Sequence, residues 1–151
     1  KILQKLLEKQ SVQNITINNT QNNTQNNTQN NTQNIIVLNS FGKEDLSHIT
    51  IEDYKKCLEQ RFPGLFEYIK LVHFNKDVPQ NHNILLTNER SKFIKVYKNG
   101  KFKTEYKDEI LEDILNNNMF RLEEKAEELK NSVGNRIIKE HNEFKKIYYN
   151  R

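Results

Sequence analysis

The sequence predicts an α+β fold for most of this chain, preceded by a short helix and a polar repeat. Apolar residues recur at spacings of three and four on both sides of a central stretch, which is typical of helices. The central stretch has two strand-like runs around Asn99-Gly100, which indicates a β-hairpin. We therefore divide the chain into the end of a coiled coil (1–13), a β segment with an Asn/Thr/Gln repeat (14–40) and an α+β terminal domain (41–151).

The first segment is predicted to be the end of a parallel coiled coil. A heptad pattern places Leu3 and Leu6 at its seam, and the seam then changes to Gln10 and Gln13. A helix of this length is marginal in isolation. Because the chain begins without an initiator Met, we expect a longer coiled coil upstream of Lys1.

The second segment repeats Asn-Asn-Thr-Gln four times, at residues 18–33. It has no apolar side chain to bury, whereas ordering its backbone costs about 1–2 kcal/mol per residue. Because the period is even, each residue type stays on one face of an extended chain. We predict parallel intertwined strands of a homotrimer, resembling a β-helix, with the odd-numbered amides inward; a flexible polar linker is the alternative. The predicted oligomer core comprises Leu3, Leu6, Ile15, Ile17, Asn19, Gln21, Asn23, Gln25, Asn27, Gln29, Asn31, Gln33, Ile35 and Val37.

The terminal domain is predicted to begin with two helices and a short strand. Thr50 followed by Asp53 forms a capping box that begins the first helix. Pro63 and Gly64 begin the second, because proline suits the first turn of a helix. Residues 84–86 are aliphatic and predict a strand.

The hairpin follows, with strands at 92–98 and 101–106. Its two-residue turn fixes the register, so that Phe93 lies opposite Tyr106 and Tyr97 lies opposite Phe102. We expect these aromatic residues to face the hydrophobic core. From Asp108 onward helical spacing returns, with a predicted break at 116–118 and an interruption at 134–135 before the last helix.

Composition limits the classes of site that this chain can carry. The single Cys57 excludes an internal disulfide and a zinc site made of several cysteines. No segment approaches the length of about 20 apolar residues that a membrane span needs, so we predict no membrane partner. We also predict no cofactor and no metal. The net charge is +4, which by itself does not indicate nucleic acid. We expect an intracellular or virion location rather than secretion.

Two histidines are the candidates for chemistry. His73 is followed by Phe-Asn75, and His82 lies between Asn81 and Asn83. This pattern is superficially that of the His-Asn-His nucleases, in which one histidine activates water and the other binds a metal. The alternative is a structured turn whose Asn side chains bind backbone groups.

Charge is unevenly distributed in the terminal domain. Residues 89–107 hold seven basic and two acidic residues, and 108–130 hold eight acidic and three basic residues. A basic hairpin with aromatic neighbours can bind phosphate backbones. The candidate nucleic-acid contacts are Lys92, Lys98, Lys101 and Lys103. The carboxylates Glu109, Glu112 and Asp113 more often form a solvated helix face than a metal site.

Segments 41–50, 73–75 with 79–84, and 91–97 resemble a poorly characterised carboxy-terminal domain of giant DNA virus proteins of the mimivirus type. In those proteins an Asn/Thr/Ile-rich tract precedes the domain, and a coiled coil and a zinc finger can lie further upstream. The resemblance covers residues 14–115 and implies no established activity. We predict a viral-type, non-enzymatic oligomerisation and interaction module that binds itself and either DNA or another protein. A nucleic-acid-binding or His-Asn-His-like nuclease domain is the alternative.

Overall fold

The structure is a computed structural model that describes residues 3–5 and 36–151. Residues 3–5 are helical. The remaining elements are helices α1 (Ile51–Glu59) and α2 (Arg61–His73), a 3₁₀ turn (Pro79–Asn81), strands β1 (Ile84–Leu85), β2 (Phe93–Lys98) and β3 (Lys101–Tyr106), and helices α3 (Lys107–Glu128), α4 (Lys130–Val133) and α5 (Asn135–Tyr149). The α+β class and the C-terminal helices are as predicted.

Helix α1 begins with the predicted capping box. The backbone N–H of Asp53 donates to Thr50 Oγ1 at 3.1 Å, and the backbone N–H of Thr50 donates to Asp53 Oδ2 at 3.0 Å. Helix α2 begins at Arg61, two residues before the predicted start, so that Pro63 lies inside its first turn.

Helices α1 and α2 touch at Gly64. A Cβ added at this position would lie 1.9 Å from the carbonyl oxygen of Cys57, which is buried. Only glycine therefore permits this approach of the two helix backbones.

The three strands form an antiparallel sheet in the order β1-β2-β3. Asn99 and Gly100 have φ values of 51° and 86°, as a two-residue hairpin turn of this kind requires. Phe93 pairs with Tyr106 and Tyr97 pairs with Phe102, so the predicted register is confirmed.

The sheet and the helices share one hydrophobic core. Ile94 and Val96 of β2 are buried together with Ile84 of β1, and β2 and β3 both contact α3. Helices α1, α2, α3 and α5 pack against one another. Among the described residues, no helix is long and apolar enough to cross a membrane.

The predicted helix break at 116–118 is wrong, because α3 continues from Lys107 to Glu128. Asn118 is fully buried, and its amide donates to the carbonyl oxygen of Ile114 at 2.8 Å. Asn116 accepts a hydrogen bond from the hydroxyl of Tyr148 at 2.7 Å. A carbonyl of the same helix and the hydroxyl of Tyr148 on α5 thus satisfy amides that would otherwise favour a turn.

Candidate functional site

Four aromatic residues of the hairpin form one surface, which we call the aromatic face: Phe93, Tyr97, Phe102 and Tyr106. Phe93 and Tyr97 are four residues apart on β2, so strand alternation places them on the same side of the sheet. Their partners on β3, Tyr106 and Phe102, lie on that side as well. The ring centroids are 5.2 Å apart in the Phe93 and Tyr106 pair and 5.4 Å apart in the Tyr97 and Phe102 pair.

The aromatic face is open, which contradicts its predicted place in the core. Phe93 is 45% exposed, Phe102 36% and Tyr106 58%. The opposite face of β2 carries Ile94 and Val96, and this is the face that packs on the helices. The sequence contained a sign of this arrangement, because Lys95 lies on the aromatic face between the two ring pairs. A lysine at the centre of a core face would be costly to bury.

A basic cavity adjoins the aromatic face at Tyr106. It has a volume of about 460 Å³. Its lining consists of Arg90, Ser91, Lys92, Tyr106, Lys107 and Asp108. We call Arg90, Lys92 and Lys107 the basic rim. The ε-ammonium of Lys107 donates to the carbonyl oxygen of Glu89 at 3.0 Å. Three cations and one carboxylate make this an anion-attracting edge.

The four lysines proposed as nucleic-acid contacts are divided between two places. Lys92 belongs to the basic rim. Lys98, Lys101 and Lys103 alternate with the aromatic residues and therefore lie on the other side of the hairpin. Lys98 is also engaged there, since its ammonium lies 3.5 Å from Glu105 Oε1. Sequence reasoning missed Lys95 and the remaining members of the basic rim.

His73 lies in the interior, in a group that we call the buried polar cluster: Glu44, His73, Asn83, Asn118 and Arg121. His73 is 2% exposed. Its Nε2 lies 3.2 Å from Asn118 Nδ2, and its Nδ1 lies 3.6 Å from Glu44 Oε1. The second distance is too long for a direct hydrogen bond. Because the Asn118 amide is a donor here, His73 Nε2 accepts and Nδ1 carries the proton that points toward Glu44.

Glu44 is the centre of this cluster, and sequence reasoning did not single it out. Its Oε1 accepts hydrogen bonds from Gly42 N at 2.9 Å and from Asn83 Nδ2 at 3.0 Å. Its Oε2 accepts from Arg121 Nη2 at 2.6 Å. Arg121 also donates to Asn118 Oδ1 at 3.2 Å. The buried carboxylate is therefore satisfied on both oxygens, as a buried charge must be.

The protonation states follow from these contacts. Burial lowers the pKa of His73 to about 4, and the nearby Glu44 carboxylate only partly opposes this effect. Burial by itself would raise the pKa of Glu44, but His73, Arg121 and the Asn83 hydrogen bond outweigh it, so the pKa is lowered. At neutral pH His73 is thus uncharged, and Arg121 is the cation that compensates Glu44.

The segment around His82 agrees with the structured-turn alternative. His82 Nε2 lies 2.8 Å from the carbonyl oxygen of Asn75. Asn81 Nδ2 donates to the Asp45 carbonyl at 2.7 Å, and its Oδ1 accepts from Asp45 N and Asn39 Nδ2, each at 2.9 Å. These side chains hold residues 39–45 against the 3₁₀ turn. Burial lowers the pKa of His82 as well.

The other sequence candidates are separate from these two regions. Glu109, Glu112 and Asp113 are exposed on α3, and Glu112 pairs with Arg151 at 3.1 Å. His48 has a partner that the sequence did not reveal, since its Nε2 lies 2.6 Å from the Leu71 carbonyl oxygen. Among the described residues, no three His, Cys, Asp or Glu side chains are placed to hold a metal ion.

Two of the predicted oligomer-core residues are described. Leu3 is 7% exposed and belongs to the hydrophobic core of its own chain, where we had predicted a seam between chains. Val37 is 75% exposed, so the described part of its own chain leaves it uncovered. The remaining members lie outside the described residues: Leu6, Ile15, Ile17, Asn19, Gln21, Asn23, Gln25, Asn27, Gln29, Asn31, Gln33 and Ile35.

Comparison with known proteins adds no relative: no family model, curated protein or solved structure matches this chain. The resemblance to a domain of giant DNA viruses therefore stays a prediction. What the chain does must be argued from its own two unusual regions, the aromatic face and the buried polar cluster.

Proposed function

We propose that this chain is a non-enzymatic binding module whose contact surface is the aromatic face. The observation that carries the proposal is the exposure of Phe93, Phe102 and Tyr106 on the side of the sheet that faces away from the helices. Large apolar groups gathered on an open surface are typical of interaction sites. Aromatic rings give such sites much contact area at a low cost in conformational entropy.

The closed state of the buried polar cluster supports a non-enzymatic role. A general base must come within hydrogen-bond reach of its substrate. His73 is 2% exposed, and both carboxylate oxygens of Glu44 already accept hydrogen bonds from Gly42, Asn83 and Arg121. The arrangement is that of an interior ion pair with its supporting hydrogen bonds.

Several copies of the domain would act together if the amino-terminal segments associate, as we propose, through a trimeric strand bundle. The even period of the Asn-Asn-Thr-Gln repeat and the exposure of Val37 support this proposal. Linking identical modules raises the overall affinity without a stronger single site. Light scattering of the intact chain should give three times 18.1 kDa. A mass of 18.1 kDa at micromolar concentration would contradict association.

The contact surface is tested with a panel of short peptides and oligonucleotides offered to the intact chain. We expect every ligand bound by the parent chain to be lost in the Phe93→Ala/Tyr106→Ala variant. Phe120→Ala is the matched control, because Phe120 is an exposed aromatic residue on α3, and it should bind as the parent does. If the Phe93→Ala/Tyr106→Ala variant binds the same ligands as strongly as the parent chain, the aromatic face is not the contact surface.

The nuclease alternative has a direct test of its own. Cleavage of DNA by the parent chain in the presence of Mg²⁺, absent from both His73→Ala and His82→Ala variants, would favour it over a binding role. We expect no cleavage that depends on these histidines, since each lies in a hydrogen-bonded interior position.

A further inference from the structure

We propose that the ligand of the aromatic face is a single-stranded nucleic acid. Its bases would stack on the two ring pairs, and its phosphates would lie at Lys95 and the basic rim. This inference rests on the proposed binding role of the aromatic face and names the partner class.

The spacing of the rings fits separate base contacts along one strand. The Phe93 and Tyr106 pair and the Tyr97 and Phe102 pair are four residues apart on β2, which is about 13 Å in a strand. Stacked bases lie only about 3.4 Å apart, so the two ring pairs receive bases that are not neighbours in a stack. The intervening nucleotides pass over the Lys95 and Thr104 pair.

The charge of this surface selects an anionic ligand. Lys95 is exposed between the ring pairs, and the basic rim lies at the end of the aromatic face beside Tyr106. Within residues 3–5 and 36–151, none of Arg90, Lys92 and Lys95 forms a salt bridge with a carboxylate. These cations are thus available to neutralise phosphates at little cost.

The combination of rings and cations favours a single strand over a duplex. Stacking on a protein side chain requires the flat face of a base, and in a duplex those faces are covered by neighbouring bases. A single strand offers one base and one phosphate per nucleotide, which matches a surface that has both aromatic and cationic groups. Recognition by stacking tolerates any base, so we expect little sequence preference.

The test is fluorescence anisotropy of a labelled oligothymidylate of about 16 nucleotides, titrated with the intact chain at several salt concentrations. The affinity should fall as salt rises, with a log–log slope of about −0.7 for each phosphate contacted. A duplex of the same length should bind more weakly. No binding at low salt, or equal binding of the duplex, would overturn the inference.

Two variants assign the contacts. Phe93→Ala/Tyr106→Ala should weaken binding at least about tenfold, because loss of one stacked base typically costs about 5- to 150-fold. Phe120→Ala, the control away from the hairpin, should bind as the parent does. Unchanged affinity in the double variant would leave only non-specific charge attraction and would refute stacking on the aromatic face.

The charge contacts are tested by Arg90→Gln/Lys92→Gln, which should reduce the salt slope by about 1.4. Lys139→Gln/Lys146→Gln removes two exposed lysines of α5 and should leave the slope unchanged. Lys95→Glu keeps all four rings and should also weaken binding. An unchanged slope in the first of these variants would contradict the proposed phosphate positions.

A membrane surface is the competing anionic partner, and it is distinguished in the same experiment. Phosphatidylserine vesicles bound through Phe93 and Tyr106, with no binding of the oligonucleotide, would overturn the present inference while supporting the binding role of the aromatic face. If no ligand loses affinity when Phe93 and Tyr106 are replaced by alanine, the proposed function itself is wrong.

Discussion

The buried polar cluster and the aromatic face reverse the usual distribution of side chains. Glu44 and the uncharged His73 are buried beside the guanidinium of Arg121, where charged and polar groups are costly, whereas Phe93, Phe102 and Tyr106 lie on an open surface, where apolar rings contribute least to folding. The Glu44 carboxylate is matched by hydrogen bonds from Gly42 and Asn83 and by the Arg121 cation. The exposed rings are matched by nothing in the described part of the chain beyond their own pairing. The difference indicates that the first region maintains the fold and that the second is available for a partner.

The largest effect is expected from removing the cation of the buried polar cluster. Arg121→Ala leaves the buried Glu44 carboxylate without its cation, and breaking a buried ion pair in this way typically costs about 3–5 kcal/mol. Urea denaturation should show a drop of this size in the free energy of unfolding. Arg136→Ala is the matched control, since Arg136 pairs with Glu59 at 3.1 Å on the surface, and it should change stability by about 1 kcal/mol or less. Equal losses in the two variants would remove the contrast between interior and surface pairs.

Neighbouring residues of β2 give the next comparison. Ile94→Ala creates a cavity on the buried side of the sheet and should cost about 2–5 kcal/mol. Phe93→Ala removes one half of an exposed cross-strand pair, and such pairs contribute about 0.2–1 kcal/mol. Thermal and urea unfolding of both variants measure the two values. A larger loss for Phe93 than for Ile94 would mean that the aromatic face supports the fold after all.

The last prediction is a dependence of stability on pH. The pKa of His73 falls from 6.5 to about 4 on folding, so between these values the unfolded chain binds more protons than the folded chain. The free energy of unfolding should therefore decrease as the pH is lowered from 6.5 toward 4, by up to about 1.4 kcal/mol per pH unit from His73. The lowered pKa values of His82 and His141 act with the same sign.

The variant His73→Gln separates this contribution from the others. Denaturation series at pH 5 and pH 7 should show a smaller difference in stability for the variant than for the parent. Binding by the aromatic face is not expected to follow this profile, because the histidines of the interior are not part of that surface. An identical pH dependence in parent and variant would show that His73 does not titrate differently in the folded chain.

The sequence by itself determined the elements whose causes are local. The capping box at Thr50, the hairpin turn at Asn99-Gly100 and the register that follows from that turn depend on residues close together in the chain, and all three were predicted. The interruption at Gly134 belongs to the same class, with a φ of 92° that favours glycine.

Only the tertiary structure decided which side of the hairpin is buried, because both sides of β2 carry large apolar residues, Lys95 was the only sign in the strand pattern, and the choice depends on packing against α3. The same holds for the continuity of α3 through Asn118, whose amide finds a long-range partner in His73 of α2. The pairing of Glu44 with Arg121 joins residues 77 positions apart and has no local signature in the sequence. Long-range packing therefore set the two unusual regions of this chain, and local chemistry set the elements that carry them.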